Sequence, residues 1–189
     1  MAKPPKKAAA QDPLLAGRKA IRKRRYNVED ARDLRSLIVR IIVIAAAAWA
    51  LCTQVFLFSQ AKGNAMFPAI EDGDLLIGFR LQATYAKNDV VLYEHDGELM
   101  VGRILGRGGD LIVMSDSGSL SVNGSTQVGE ILYPTYAKEG IEYPLTVPDG
   151  MVFILGDYRT QATDSRDFGP VALDDVKAKV ITLLRRRSV

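Results

Sequence analysis

The chain has 189 residues, 48% of them apolar and 25% charged, with a formal net charge of +3. That length supports one domain with a substantial core, plus at most a small appendage. Its single cysteine, Cys52, excludes an intrachain disulfide, and the single histidine, His95, excludes a His-based metal cluster. With no Cys-x-x-Cys pair either, no metal and no cofactor are expected.

The charge is unevenly placed. Lys3, Lys6, Lys7, Arg18, Lys19, Arg22, Lys23, Arg24 and Arg25 crowd the first residues, where Lys, Ala, Pro and Gln give the composition of a disordered tail. From Tyr26 to Arg40, Val28, Ala31, Leu34 and Leu37 recur at helical spacing, a stub leading into the next segment. From Ile41 to Ala61 there is no charged residue and no polar face. About 20 residues of helix match a hydrocarbon core of about 30 Å, so this reads as a transmembrane helix. The basic flank before it keeps the N-terminus cytoplasmic by the positive-inside rule and sends the rest outside. Next to a span, the basic tail points to anionic membrane lipid and not to nucleic acid. The expected division is 1–36 basic cytoplasmic tail and helical stub, 37–61 transmembrane helix, and 62–189 extracytoplasmic β domain.

Beyond the span the sequence alternates short apolar runs with turn signals. Leu75–Phe79, Val90–Tyr93, Glu98–Val101, Leu111–Met114 and Met151–Leu155 read as strands. Asp96-Gly97 and Asn123-Gly124 are hairpin turns of the type that needs φ > 0. The stretch from Leu173 to Leu184 reads as a final strand, with Asp174 and Asp175 allowing a short helical start. Residues from Ile131 to Glu142 carry little signal. A mostly β outer domain, a sandwich or coiled barrel, follows.

The densest polar stretch comes directly after the apolar run Met151–Leu155. It is Leu155-Gly156-Asp157-Tyr158-Arg159-Thr160-Gln161-Ala162-Thr163-Asp164-Ser165-Arg166-Asp167-Phe168-Gly169. It resembles the box LGDN-x-x-x-S-x-DSR-x-x-G of type I signal peptidases, membrane-anchored serine proteases with a Ser-Lys dyad. The family's other boxes lie upstream in order. Gly63, Met66, Pro68, Gly73 and Asp74 match the nucleophile box, Asn88 to Tyr93 the next, and Val101 to Asp110 resembles V-K-R-I-I-G-x-P-G-D. The resemblance implies a signal-peptidase-like coiled β-sheet domain behind a single N-terminal transmembrane helix.

The residues that carry the family's chemistry are replaced. The nucleophile position is Ala65, the general-base position is Gly102, and the serine that contacts the family's lysine is Ala162. A methyl group cannot attack a carbonyl, and Arg103 cannot stand in as base because a guanidinium stays protonated. What the resemblance leaves is a scaffold. Met66, Phe67 and Pro68 would line a peptide-binding cleft, and Asp157, Asp164 and Arg166 would brace its floor, with Asp164 and Arg166 as an ion pair. The resulting expectation is a membrane-anchored non-catalytic relative binding an extended segment of an exported or pilus protein, an assembly factor or chaperone. Two alternatives stay open: an active signal peptidase with an atypical nucleophile, and an unrelated bitopic β-domain protein.

Overall fold

The computed structural model describes residues 13–127 and 133–185, and the first part of the basic tail lies outside them. Helix α1 runs Pro13–Val55, so the tail is helical from Pro13 onward where its composition suggests disorder. Its apolar part, Asp33–Val55, is 23 residues long with mean hydropathy 2.1, long enough to cross a membrane. The helix stops at Val55 and does not run on to Ala61. The reason is a competing partner: β1 (Phe56–Gln60) pairs antiparallel with β2 (Leu75–Phe79), matching Phe56 to Phe79, and the Val55 carbonyl accepts the Arg80 N–H at 2.8 Å. Aromatic and β-prone Phe56-Leu57-Phe58 suits that pleat. Contacts divide the chain between Leu51 and Cys52.

The second unit is built from two antiparallel sheets. Strands β3 (Val90–His95), β4 (Glu98–Arg107), β5 (Leu111–Met114), β6 (Leu120–Val122), β7 (Ser125–Thr126), β8 (Leu145–Thr146) and β9 (Met151–Leu155) follow in order. After a short helix α2 (Ser165–Phe168) come β10 (Val171–Ala172), a 3-10 turn over Leu173–Asp175, and β11 (Val176–Leu184). The larger sheet has seven strands in the order β1-β2-β11-β3-β4-β9-β10, and the smaller has four, β7-β6-β5-β8. The Asp96-Gly97 and Asn123-Gly124 turns join β3 to β4 and β6 to β7, with φ of 49° at Asp96 and 53° at Asn123.

Strand β9 shows why an unbroken apolar run is needed at the centre. Its alternate residues Val152 and Ile154 join a core with Val91, Tyr93, Ile104, Val171 and Val176. Phe153 and Leu155 point the other way, into a second core with Leu105, Ile112, Leu120, Val122 and Val147. A strand covered on both faces reads as continuous hydrophobicity instead of alternation. A third cluster, Ala61, Met66, Ile70, Leu76 and Leu92, seats the loop after β1. The mostly β architecture with one N-terminal apolar helix is the one expected from sequence.

Candidate functional site

The polar stretch after β9 folds back under its own strand. Asp164 is the N-cap of α2, and its carboxylate also reaches back to the chain it has just left: Oδ2 accepts the Gly156 N–H at 3.0 Å. Arg166 donates to both oxygens of Asp164, from Nε and Nη2, each at 2.8 Å. The two side chains are 2% and 1% exposed. A two-point Arg–carboxylate contact in such a place fixes geometry more than it adds net stability. Ser165 is buried as well, its Oγ accepting the Ile154 N–H at 3.0 Å.

Asp157 does not join that pair. It holds Arg103 on neighbouring β4, with Nε to Oδ1 at 2.8 Å and Nη2 to Oδ2 at 2.6 Å. Between the two pairs lies Arg159, 1% exposed, which donates to the Gly156 carbonyl at 2.7 Å and the Thr135 hydroxyl at 2.7 Å. Burial pulls its guanidinium down to about 10, against the pull of Asp157 in the other direction. Burial, reinforced by Asp164 and Asp167, pushes the Tyr93 phenol well above its ordinary value.

Ala65, Gly102 and Ala162 converge on the end of β9. The Tyr158 N–H donates to the Ala65 carbonyl at 2.9 Å, tying the loop after β1 to the polar stretch. A Cβ on Gly156 would lie 2.4 Å from the Ala162 Cβ and 2.5 Å from the Ala65 carbonyl oxygen, so only glycine lets these two approach. Gly102 has an ordinary backbone for any residue, yet a Cβ there would meet Ile154 Cγ2 at 2.5 Å and the Tyr93 ring at 3.2 Å. Ala162 is 1% exposed and its carbonyl accepts the Lys138 ammonium at 2.7 Å; the same Nζ contacts both Asp167 oxygens, at 2.9 and 2.7 Å.

The three residues expected to line a cleft separate. Phe67 and Pro68 are exposed, whereas Met66 is 1% exposed and sits in the core with Ile70, Leu76 and Leu92. Met66 is therefore a core residue and not a surface one, an unbranched apolar chain that fills the space beneath its loop. Phe67 faces Tyr158, ring centroids 5.9 Å apart, and Tyr158 faces Tyr133 at 4.6 Å. Arg185, whose side chain is about half exposed, donates to the Ala69 carbonyl at 3.2 Å. Its neighbours Arg186 and Arg187 lie outside the described residues.

Comparison with known proteins identifies the scaffold. The family described as signal peptidase, peptidase S26, matches residues 34–184. The chain belongs to the signal peptidase family. A signal peptidase I of Bacillus licheniformis is 30% identical over 141 residues, covering 66% of this chain and 75% of that protein. A probable thylakoidal processing peptidase 2 of Arabidopsis thaliana is 28% identical over 155 residues, 70% of this chain but only 41% of the relative's length. A crystal structure of a signal peptidase I from Enterococcus faecalis has a TM-score of 0.44 at 27% identity, over 52% of this chain and 97% of that one. Family membership removes the unrelated bitopic protein from consideration. Lys138 and Arg159 gave no warning as parts of a signal peptidase scaffold: Lys138 sits in a stretch with little sequence signal, and Arg159 is one charge among several in its box. Arg103 and Asp157 were each legible within a family box, but 54 positions apart nothing in the sequence paired them.

Proposed function

We propose that this signal peptidase homologue is a membrane-anchored member that does not cleave by a Ser-Lys dyad and binds an extended segment of an exported protein. One observation carries the reading: the positions that meet at the end of β9 are Ala65, Gly102 and Ala162, with no hydroxyl or amine among them. The brace behind them is intact, which suits a site kept for shape. An extended peptide would add to the sheet by main-chain hydrogen bonds, with exposed Phe67 and Pro68 offering side-chain selection. By analogy with non-catalytic relatives, a pilus subunit or another surface protein under assembly is the partner class, and the second unit then faces outside the cell.

An atypical nucleophile has one observation in its favour, the Lys138 amine beside Ala162. That Nζ is already engaged by three oxygens, the Ala162 carbonyl and both carboxylate oxygens of Asp167. The nearest box serine, Ser165, spends its hydroxyl as an acceptor in the core. The test is incubation of the purified full chain with a signal-peptide substrate, alongside a binding measurement on the same peptide. Binding without processing is the expected outcome, and cleavage by the unmodified protein overturns the reading.

A further inference from the structure

A cleft of about 510 Å³ shares no lining residue with the Ala65 site. Its walls come from one end of the large sheet: Arg80 just past β2, Arg107 closing β4, Met151 and Val152 opening β9, and Leu173 and Asp174 just before β11. The register agrees, since Phe79 stands opposite Lys179 and Arg107 opposite Val152. The floor is apolar, with Val152 fully buried and Leu173 39% exposed. The rim carries two guanidinium groups against one carboxylate, Asp174. Arg107 gives one N–H to the Tyr85 carbonyl at 3.2 Å, and among the described residues neither arginine has a carboxylate at ion-pair distance.

The place of this cleft along the chain decides its ligand. The Arg80 N–H is bonded to the carbonyl of Val55, the last residue of the apolar span Asp33–Val55. The Arg80 wall is therefore one peptide hydrogen bond from the last residue of the apolar span, and an apolar span ends where lipid headgroups begin. Arginine's planar fork matches phosphate oxygens in a two-point contact, and its aliphatic stem tolerates an apolar floor. We propose that this cleft binds the phosphodiester headgroup of an anionic phospholipid, with Arg80 and Arg107 on the phosphate and Leu173 and Val152 under the glycerol. The lipid's acyl chains stay in the bilayer. A free phosphate offers the same oxygens but lacks both the apolar portion and the high local concentration at the membrane surface. The inference does not depend on whether the Ala65 site cleaves peptides.

Native mass spectrometry of the full chain in detergent micelles tests it, with phosphatidylglycerol, phosphatidylcholine and inorganic phosphate as probes. Saturable binding of phosphatidylglycerol is expected, with phosphatidylcholine clearly weaker. Arg80→Gln and Arg107→Gln should each weaken it about fivefold, and the pair about 25-fold, on the scale of one surface cation per headgroup. Asp174→Asn should tighten it, a gain that a damaged fold would not give. Equal binding by the parent and the double variant overturns the proposal, as does equal binding of phosphatidylcholine. Inorganic phosphate displacing the lipid at comparable concentration would assign the cleft to a soluble anion and overturn it too.

Discussion

Two layers of the same site differ sharply. The layer at the end of β9, Ala65, Gly102 and Ala162, offers only methyl groups and hydrogen. The layer behind it, Arg103–Asp157, Arg159 and Asp164–Arg166, keeps five charged groups, three of them at most 2% exposed. Charges are costly to bury, and an apolar replacement of similar volume is often as stable. Their presence behind an apolar front fixes the position of the loop after β9. Ways to break this comparison begin with the rear layer.

Removing the Arg166 guanidinium leaves Asp164 buried and unpaired. Arg166→Ala should lower the stability of the full chain in micelles by about 3–5 kcal/mol in a urea titration. A midpoint equal to the parent's would mean that the Gly156 and Arg166 N–H groups satisfy the carboxylate alone. Next in size is Arg159→Met, which strands the Gly156 carbonyl and the Thr135 hydroxyl and should cost about 1–3 kcal/mol.

The front layer answers differently. Gly102→Lys meets packing resistance from Ile154 and Tyr93 and should cost about 1–3 kcal/mol. Because the backbone there is ordinary, the obstacle is space, and a crystal structure of the variant should show Ile154 displaced. Ala65→Ser should fall within about 0.5 kcal/mol of the parent and remain inert, since an unassisted hydroxyl is a weak nucleophile. Only Ala65→Ser, Gly102→Lys and Ala162→Ser together would restore hydroxyl beside amine, so any cleavage should be strongly non-additive. Cleavage by Ala65→Ser alone would reveal a base that the front layer does not contain.

The smallest effect lies between the two sheets. Burial pushes the Asp110 carboxyl up, but the Arg107 N–H, the Asn123 amide and Lys87 outweigh it and hold it below its ordinary value. A depressed carboxyl contributes stability that is present above its unfolded value and lost as pH falls through the folded one. Asp110→Asn should therefore flatten the stability loss of the chain below about pH 4 and leave the rear layer's contribution untouched.

How much of this was legible in sequence depended on how local the cause was. The hairpins at Asp96-Gly97 and Asn123-Gly124 follow from adjacent residues, and the box after β9 carries its own cap and ion pair within Asp164 to Arg166. The Arg103–Asp157 pair needs the β4–β9 register, which no local pattern encodes. Lys138 reaches Ala162 from a stretch without periodicity. The helix end at Val55 was missed because hydrophobicity alone does not separate a membrane segment from the first strand of a sheet; the separating fact is β2, which lies downstream.

Strand order has a consequence for how the protein is made. β11 follows every other strand in the sequence, yet it stands between β2 and β3 in the large sheet. Until it is synthesised, the β1–β2 ribbon and the β3–β4–β9 group have no strand to join them. Both would present unpaired backbone edges during synthesis, the state in which chains mispair or aggregate. Completion of the sheet is thus a late, long-range event. A nascent chain halted before Val176 would expose those edges to whatever chaperones and proteases meet it.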